Sequence, residues 1–275
     1  MENDKDNTMG FMNVQISGWD AILMIAVCLM GTLVAYVHDP GRKAFILLLP
    51  IPFSIANLSL GLKVDVSNVL ALLVLYGFTQ CVRILYNVVK LNIVVSIVIS
   101  AAAYCAIGIT LAKVVPKTEM TFWLSSGIVL AVGLIIHFAI SDSVEPGYRT
   151  SLPVWKKLPI IAMVVTVLVL IKLYLQGFMT IFPMVGVIAT YESRYSLGMT
   201  CRKIGSLMFV MLPMIVVMHI AQTYCGFGIA PSIGIGWIVF LPLLFLFNRD
   251  ILRQNVLLLL KAGRKECVSP EVNET

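Results

Sequence analysis

The stretch GFMTIFPMVGVIATYESRYSLG, residues 177–198, is oily as far as Tyr191 and then ends abruptly in Glu-Ser-Arg. A second apolar run, Leu158–Tyr174, stands just before it, with only Leu175 and Gln176 between. A helix needs roughly 20 mostly apolar residues to cross a bilayer core about 30 Å thick. Two such runs placed back to back read as a tight hairpin of crossings, the second carrying Pro183 near its middle.

Outward from there the pattern repeats along nearly the whole chain. Of 275 residues, 59% are hydrophobic and 12% charged, where a soluble domain has roughly a quarter charged. The mean hydropathy is +0.95. Lipid offers no hydrogen bonds to a backbone, so continuous apolar runs cross it as helices, and the alternation of barrel strands is missing. The expected fold is all-α, a polytopic helical membrane protein. Nine crossings are placed at 19–37, 43–61, 65–88, 91–113, 121–141, 158–175, 177–192, 204–224 and 228–248.

Lysine and arginine orient these crossings. With the N-terminus outside, fifteen of the twenty fall on the cytoplasmic side, among them Arg42, Arg83, Lys156, Arg194, Arg249 and Lys265. The topology is therefore N-out and C-in, and it accounts for the net charge of +6 without a nucleic-acid partner. The acidic opening MENDKDNTMG lacks the basic n-region of a secretory signal. Residues 1–18 are a polar N-terminal segment, 19–141 a first transmembrane half plus a spacer helix, and 142–157 a cytoplasmic connection. A second half follows over 158–248, and 249–275 form a basic segment and a disordered tail. Within that tail, residues 249–265 fit either an interfacial helix on an anionic inner leaflet or an extension of the last crossing. The six cysteines have no metal-ligand spacing and read as free thiols.

AFILLLPIPFSIA (44–56) echoes GFMTIFPMVGVIA (177–189): Phe, then Pro five residues on, then Ile-Ala five and six residues after the Pro. Each run later reaches Ser-Leu-Gly, at 59–61 and 196–198, with four extra residues in the second. The matching crossings are the second and the seventh, which face opposite ways. A duplication would relate crossings one to four and six to nine by an in-plane pseudo-two-fold, with the fifth as spacer, as in many secondary transporters. The plainer account is that Pro50, Pro52 and Pro183 kink two unrelated helices.

The stretch FPMVGVIATY (182–191) resembles the GlpM-like family of small bacterial inner-membrane proteins, through Phe182, Pro183, Ile188, Ala189 and Tyr191 and, more faintly, Pro50, Ile55 and Ala56. The resemblance implies architecture and a bacterial inner-membrane setting, in a duplicated or fused form. It implies no reaction.

An ionisable residue in lipid marks a pathway, a pairing or an anchor at a helix end. Glu192, with Arg194, reads as the cytoplasmic boundary of a crossing or as a gate. Arg83, striped with Gln80 and Asn87, either snorkels or pairs with Glu192 or Asp142. His137 and His219 are either proton relays or packed side chains bonded to a neighbouring helix. Lys172 and Asp20 read as outer-end anchors. Asn57 shares a face with Ser54, and Thr190 is its counterpart under the repeat. A midplane site is expected where Pro50, Pro52 and Pro183 break their helices.

No nucleotide, metal or hydrolase motif appears. The chain is thus expected to be no enzyme, to use no cofactor, and to carry a small molecule or lipid-linked intermediate as a secondary transporter or flippase-like carrier. A membrane subunit or scaffold of an envelope or polysaccharide assembly, built on copies of itself or another membrane protein, is the alternative. An intramembrane lipid-modifying enzyme ranks last.

Overall fold

The computed structural model describes residues 18–37, 46, 49–139, 159, 162–163, 166–167, 172–194 and 197–247. The expected polar N-terminus, the 142–157 connection with Asp142, most of the sixth crossing, and the basic segment 249–265 with its tail lie outside the described residues. The described chain is helical, with no strand among the described residues. In order it forms α1 (Gly18–Tyr36), α2 (Ile51–Leu60), α3 (Val66–Asn87), α4 (Ile93–Val114), α5 (Glu119–Ala139), α6 (Lys172–Leu175), α7 (Gly177–Thr180), α8 (Met184–Glu192), α9 (Leu197–Thr223) and α10 (Ile229–Phe247).

Four of the described helices are long and apolar enough to cross a membrane: α3, α4, the 119–136 part of α5 and the 229–246 part of α10. The outer surface suits lipid as well. On α1, Ile22, Ile25, Leu29 and Leu33 are exposed while Leu23, Val27, Met30 and Val34 are buried, so an apolar stripe faces outward where a soluble helix would place charge. The chain is a helical membrane protein.

Two expected crossings are not single helices. Residues 177–192 form α7, a break at Ile181–Pro183, and then α8. In the second crossing, α2 starts only after Pro50. Both short helices have a proline as N-cap, Pro50 with φ −81° and Pro183 with φ −73°. The cause is local: a proline ring removes the N–H that would continue the helix and clashes with the preceding turn. At about 1.5 Å rise per residue, neither α2, with 10 residues, nor α8, with 9, crosses a bilayer core alone.

Beside α1 and α5 stand two hairpins, α3 with α4 and α9 with α10. Asp65 starts α3 by accepting from the backbone N–H of Ser67, and Asn68 reciprocates toward the Asp65 N–H, closing a capping box. After α3, residues 88–92 turn the chain into α4; after α9, residues 224–228 turn it into α10. These two turns share one construction. The third residue of each is left-handed, Lys90 with φ 63° and Gly226 with φ 69°. The next residue donates its N–H six residues back, Leu91 to Leu85 and Phe227 to Ala221, a closure one residue wider than the bond that ends a Schellman motif.

The hairpins meet through α3 and α9, and α5 packs against both. Small residues permit the close approach. A Cβ on Gly205 of α9 would stand 2.3 Å from Cγ2 of Ile136 on α5, and one on Gly236 of α10 would stand 2.9 Å from Cγ of Met218 on α9.

Candidate functional site

The site grows from the two broken helices. From Pro50, α2 runs to Gly61 and the linker into α3. From Pro183, α8 runs to Glu192 and the connection into α9. The starts of α3 and α9 lie at opposite ends of the bundle, because the last turn of α9 bonds to Val64, just before α3. Hence α2 and α8 lead away from each other toward opposite ends, while their N-terminal ends face a common space.

That space is a cavity of roughly 100 Å³ lined by Pro50, Pro52 and Phe53 of the α2 break, by residues 180–186 with Ala189 and Thr190, and by side chains of α1, α3 and α9. Its walls are mainly Met, Leu, Ile, Phe and Pro. Thr180, Thr190 and Thr200 are the hydroxyl residues in the lining. The Thr190 hydroxyl donates to the Gly186 carbonyl at 2.6 Å, and that of Thr180 donates to the Gly177 carbonyl at 2.7 Å while accepting from Asn68 Nδ2 at 3.0 Å.

The broken helices are anchored by the hairpins. Tyr104 on α4 donates its hydroxyl to the Phe178 carbonyl at 2.8 Å. Trp237 on α10 donates its indole N–H to Ser54 Oγ at 2.9 Å, and Ser54 donates to the Pro50 carbonyl at 2.8 Å. Gly177 is set so closely on α3 that a Cβ would lie 2.5 Å from Ser67 Oγ and 2.9 Å from the Asn68 nitrogen. The preceding residue, Gln176, has φ 49° and ψ −130°, an unusual conformation for a residue with a Cβ. Its Oε1 is buried and unpartnered among the described residues.

Of the residues singled out by sequence, Pro50, Pro52, Pro183 and Thr190 line the cavity. Asn57 is buried on α2 outside the lining, with its amide turned back to the Phe53 carbonyl at 2.8 Å. Glu192 is fully buried, unlike a residue at a water-facing helix boundary. Arg83 is exposed and does not line the cavity; Gln80, one turn earlier, bonds Tyr76 at 2.8 Å. Asp20, expected as an outer-end anchor, is 1% exposed and accepts a hydrogen bond from the Ser59 hydroxyl. The side chains of His137 and Lys172 lie outside what the structure describes.

His219 does not line the cavity; it lies in a polar cluster at the end of the bundle where α9 meets the linker before α3. Its Nδ1 is 2.8 Å from the Val64 carbonyl oxygen and its Nε2 is 3.2 Å from Glu119 Oε2. Gln222, one turn on, accepts from the Val64 N–H at 2.8 Å and donates to Ser232 Oγ at 2.7 Å. Both polar groups of one backbone unit are thus held by two side chains of α9. Sequence reasoning singled out His219 as a relay or a packed side chain but missed the backbone unit it shares with Gln222, and missed Glu119, a hundred residues away in sequence. Comparison with protein-family models, curated proteins and solved structures gives no match to this chain.

Proposed function

We propose that the chain is a multi-pass carrier of the bacterial inner membrane, N-out and C-in, that moves a largely apolar or lipid-linked small molecule through the cavity between α2 and α8. The observation that carries this reading is the pair of broken helices. Two segments with the same Phe-x4-Pro spacing start short helices at that proline, lead in opposite directions, and open on one cavity. Broken helices meeting between inverted repeats are the usual construction of a carrier site.

Further support comes from the hairpins. The turn at 88–92 matches that at 224–228 in length, in its left-handed third residue and in its backbone closure. Each hairpin also sends an aromatic donor from its second helix to the broken helix of the other half, Tyr104 to Phe178 and Trp237 to Ser54. Under this reading α1–α4 repeat as the 158–175 crossing, α7 with α8, α9 and α10, and α5 is the spacer. Transport then consists of rocking one half on the other across the α3 and α9 contact, with no ATP and no cofactor. The substrate class follows from the lining: hydrocarbon walls take an apolar body, and the Thr190 hydroxyl, whose hydrogen is held by Gly186, can still accept from a substrate hydroxyl.

A second reading, a scaffold in an envelope assembly, is favoured by the mainly apolar lining of the cavity and by the exposed apolar stripe of α1 as a helix-packing surface. The two part company in one experiment. Purified protein in liposomes should release an entrapped or leaflet-confined amphiphile faster than empty liposomes do, and a cysteine-attached bulky group at Thr190→Cys should block it. No flux across a panel of amphiphiles, together with a stoichiometric membrane partner on pull-down, overturns the carrier and leaves the scaffold.

A further inference from the structure

His219 on α9 is 7% exposed, and both of its ring nitrogens face acceptors: the Val64 carbonyl at 2.8 Å and Glu119 Oε2 at 3.2 Å. A carbonyl oxygen only accepts, an ionised carboxylate only accepts, and a neutral imidazole carries a single hydrogen. Either neutral tautomer therefore sets a nitrogen lone pair against an oxygen lone pair at one of the two contacts. The geometry balances only with one more proton, held on the imidazole or on the carboxyl. We infer that His219 and Glu119 together form a proton-binding site, which clasps the Val64 backbone when occupied and loosens it when the proton leaves.

The surroundings fit a bound positive charge. Phe122 of α5 stacks on the imidazole with ring centroids 3.7 Å apart, a face that favours a cation. The other titratable groups nearby are Tyr224, whose hydroxyl donates to Glu119 Oε2 at 3.3 Å, Asp65 and Lys117, which pair with each other at 2.8 Å, and Lys63 next to Val64. From α10 comes no titratable side chain; that side of the cluster is Ser232, bonded to Gln222. The site is reachable from water through Glu119, whose side chain is 49% exposed, while that of His219 is 9% exposed.

Occupancy reaches the cavity through the chain itself. Val64 belongs to the five-residue linker Gly61–Asp65, and α2, ending at that linker, starts at Pro50 in the cavity wall. A proton that fixes Val64 biases where α2 sits, because a ligand shifts a conformational equilibrium by its difference in affinity for the two states. For the carrier this makes the proton the coupling ion. That clause alone rests on the carrier reading; proton binding does not.

The test uses the full chain in lipid nanodiscs, with unfolding temperature and Trp123 fluorescence followed between about pH 5 and pH 8, where a histidine changes charge. Trp123 stands edge-on to the His219 ring at 6.5 Å and reports its charge by quenching. The wild type should lose unfolding temperature and gain tryptophan emission as pH rises, and the emission change should vanish in Trp123→Phe, which leaves Trp19, Trp155 and Trp237 in place. In Glu119→Gln the amide donates to a neutral imidazole, so the fold stays intact while most of both pH responses disappears; His219→Gln should remove them too. A wild type indifferent to pH, or both variants keeping the full wild-type response, overturns the proton site. Liposome flux then separates the clauses. Absent flux with an intact pH response sinks the carrier and leaves the proton site, whereas flux insensitive to a pH gradient sinks the coupling clause alone.

Discussion

The α3/α4 and α9/α10 hairpins share a turn but not the chemistry at their ends. Counting back from Lys90 and from Gly226, the same step reaches Arg83 in the first and His219 in the second, and likewise Tyr86 and Gln222. Arg83 is exposed, whereas His219 and Gln222 are buried and grip Val64 from both sides. The difference teaches that one backbone scheme can be locked at one end of a bundle by side chains while the equivalent positions at the other end serve another purpose. In a carrier built of inverted repeats, such asymmetry distinguishes a closed end from an end that opens.

The comparison breaks most visibly at Gln222. Gln222→Leu keeps the bulk but leaves the Val64 N–H without its partner, and a buried donor stripped of its bond costs about 1–3 kcal/mol. Tyr86→Phe, at the corresponding place in the first hairpin, removes only a hydroxyl from a half-buried ring and should stay within about 0.5 kcal/mol. Thermal unfolding of the two variants in the same detergent checks the contrast. Equal losses would mean that the clasp contributes nothing particular to its end.

Next come the turns, where the two hairpins should respond with opposite signs. Gly226 and Lys90 are both left-handed, and that conformation costs a residue with a Cβ about 1–2 kcal/mol. No atom would crowd a Cβ at Gly226, so Gly226→Ala measures the backbone cost alone and should destabilise by about 1 kcal/mol. Lys90→Gly relieves the same strain and should stabilise by somewhat less, since glycine also loses more freedom on folding. Finding the same sign at both turns would remove the structural equivalence on which the repeat rests.

Much of the fold is legible in the sequence because apolar length is a local property. The crossings expected at 65–88, 91–113 and 228–248 appear as α3, α4 and α10 within about two residues. The breaks at Pro50 and Pro183 are legible for the same reason, since proline acts on its own turn. The cavity follows from those breaks, and Thr190 lines it as a member of the broken segment. What the sequence hides is tertiary. Glu119 looks like a helix-start acid and His219 like a lone intramembrane histidine until α5 and α9 are packed side by side. Asp20 looks like an interfacial anchor because no pattern announces that Ser59 covers it. The burial of Glu192 is equally invisible from a position two residues from an arginine.

Within the cavity, Thr190→Val deletes the one hydroxyl that α8 contributes to the lining, with its bond to Gly186. A hydroxyl bonded only to its own helix adds about 0.5–1.5 kcal/mol at most, so the variant should fold with a small loss. Flux in liposomes should fall by about tenfold if the hydroxyl contributes one hydrogen bond, near 1.4 kcal/mol, to substrate recognition. Asn57→Leu, the matching position of the first half, alters a residue outside the lining and should leave flux close to wild type once stability is corrected for. Equal loss in both would move recognition away from α8.

The smallest effect on stability, and the sharpest on symmetry, belongs to the two prolines. Pro50→Ala and Pro183→Ala each remove a ring from an N-cap, where the backbone is already near the proline φ. Alanine tolerates that conformation, and the main penalty is the extra freedom of the unfolded chain, about 0.4–1 kcal/mol. Function should respond differently from stability. With the N–H restored, the preceding segment can extend the helix through the break and fill the cavity wall, so flux falls in both variants even though both remain folded. If the two halves are pseudo-symmetric partners, the losses are of similar size, and the double variant loses little beyond the larger single effect because the cavity has already closed. If Pro183→Ala abolishes flux while Pro50→Ala spares it, the resemblance between 44–56 and 177–189 is a coincidence of oily sequence, and the site belongs to the second half alone.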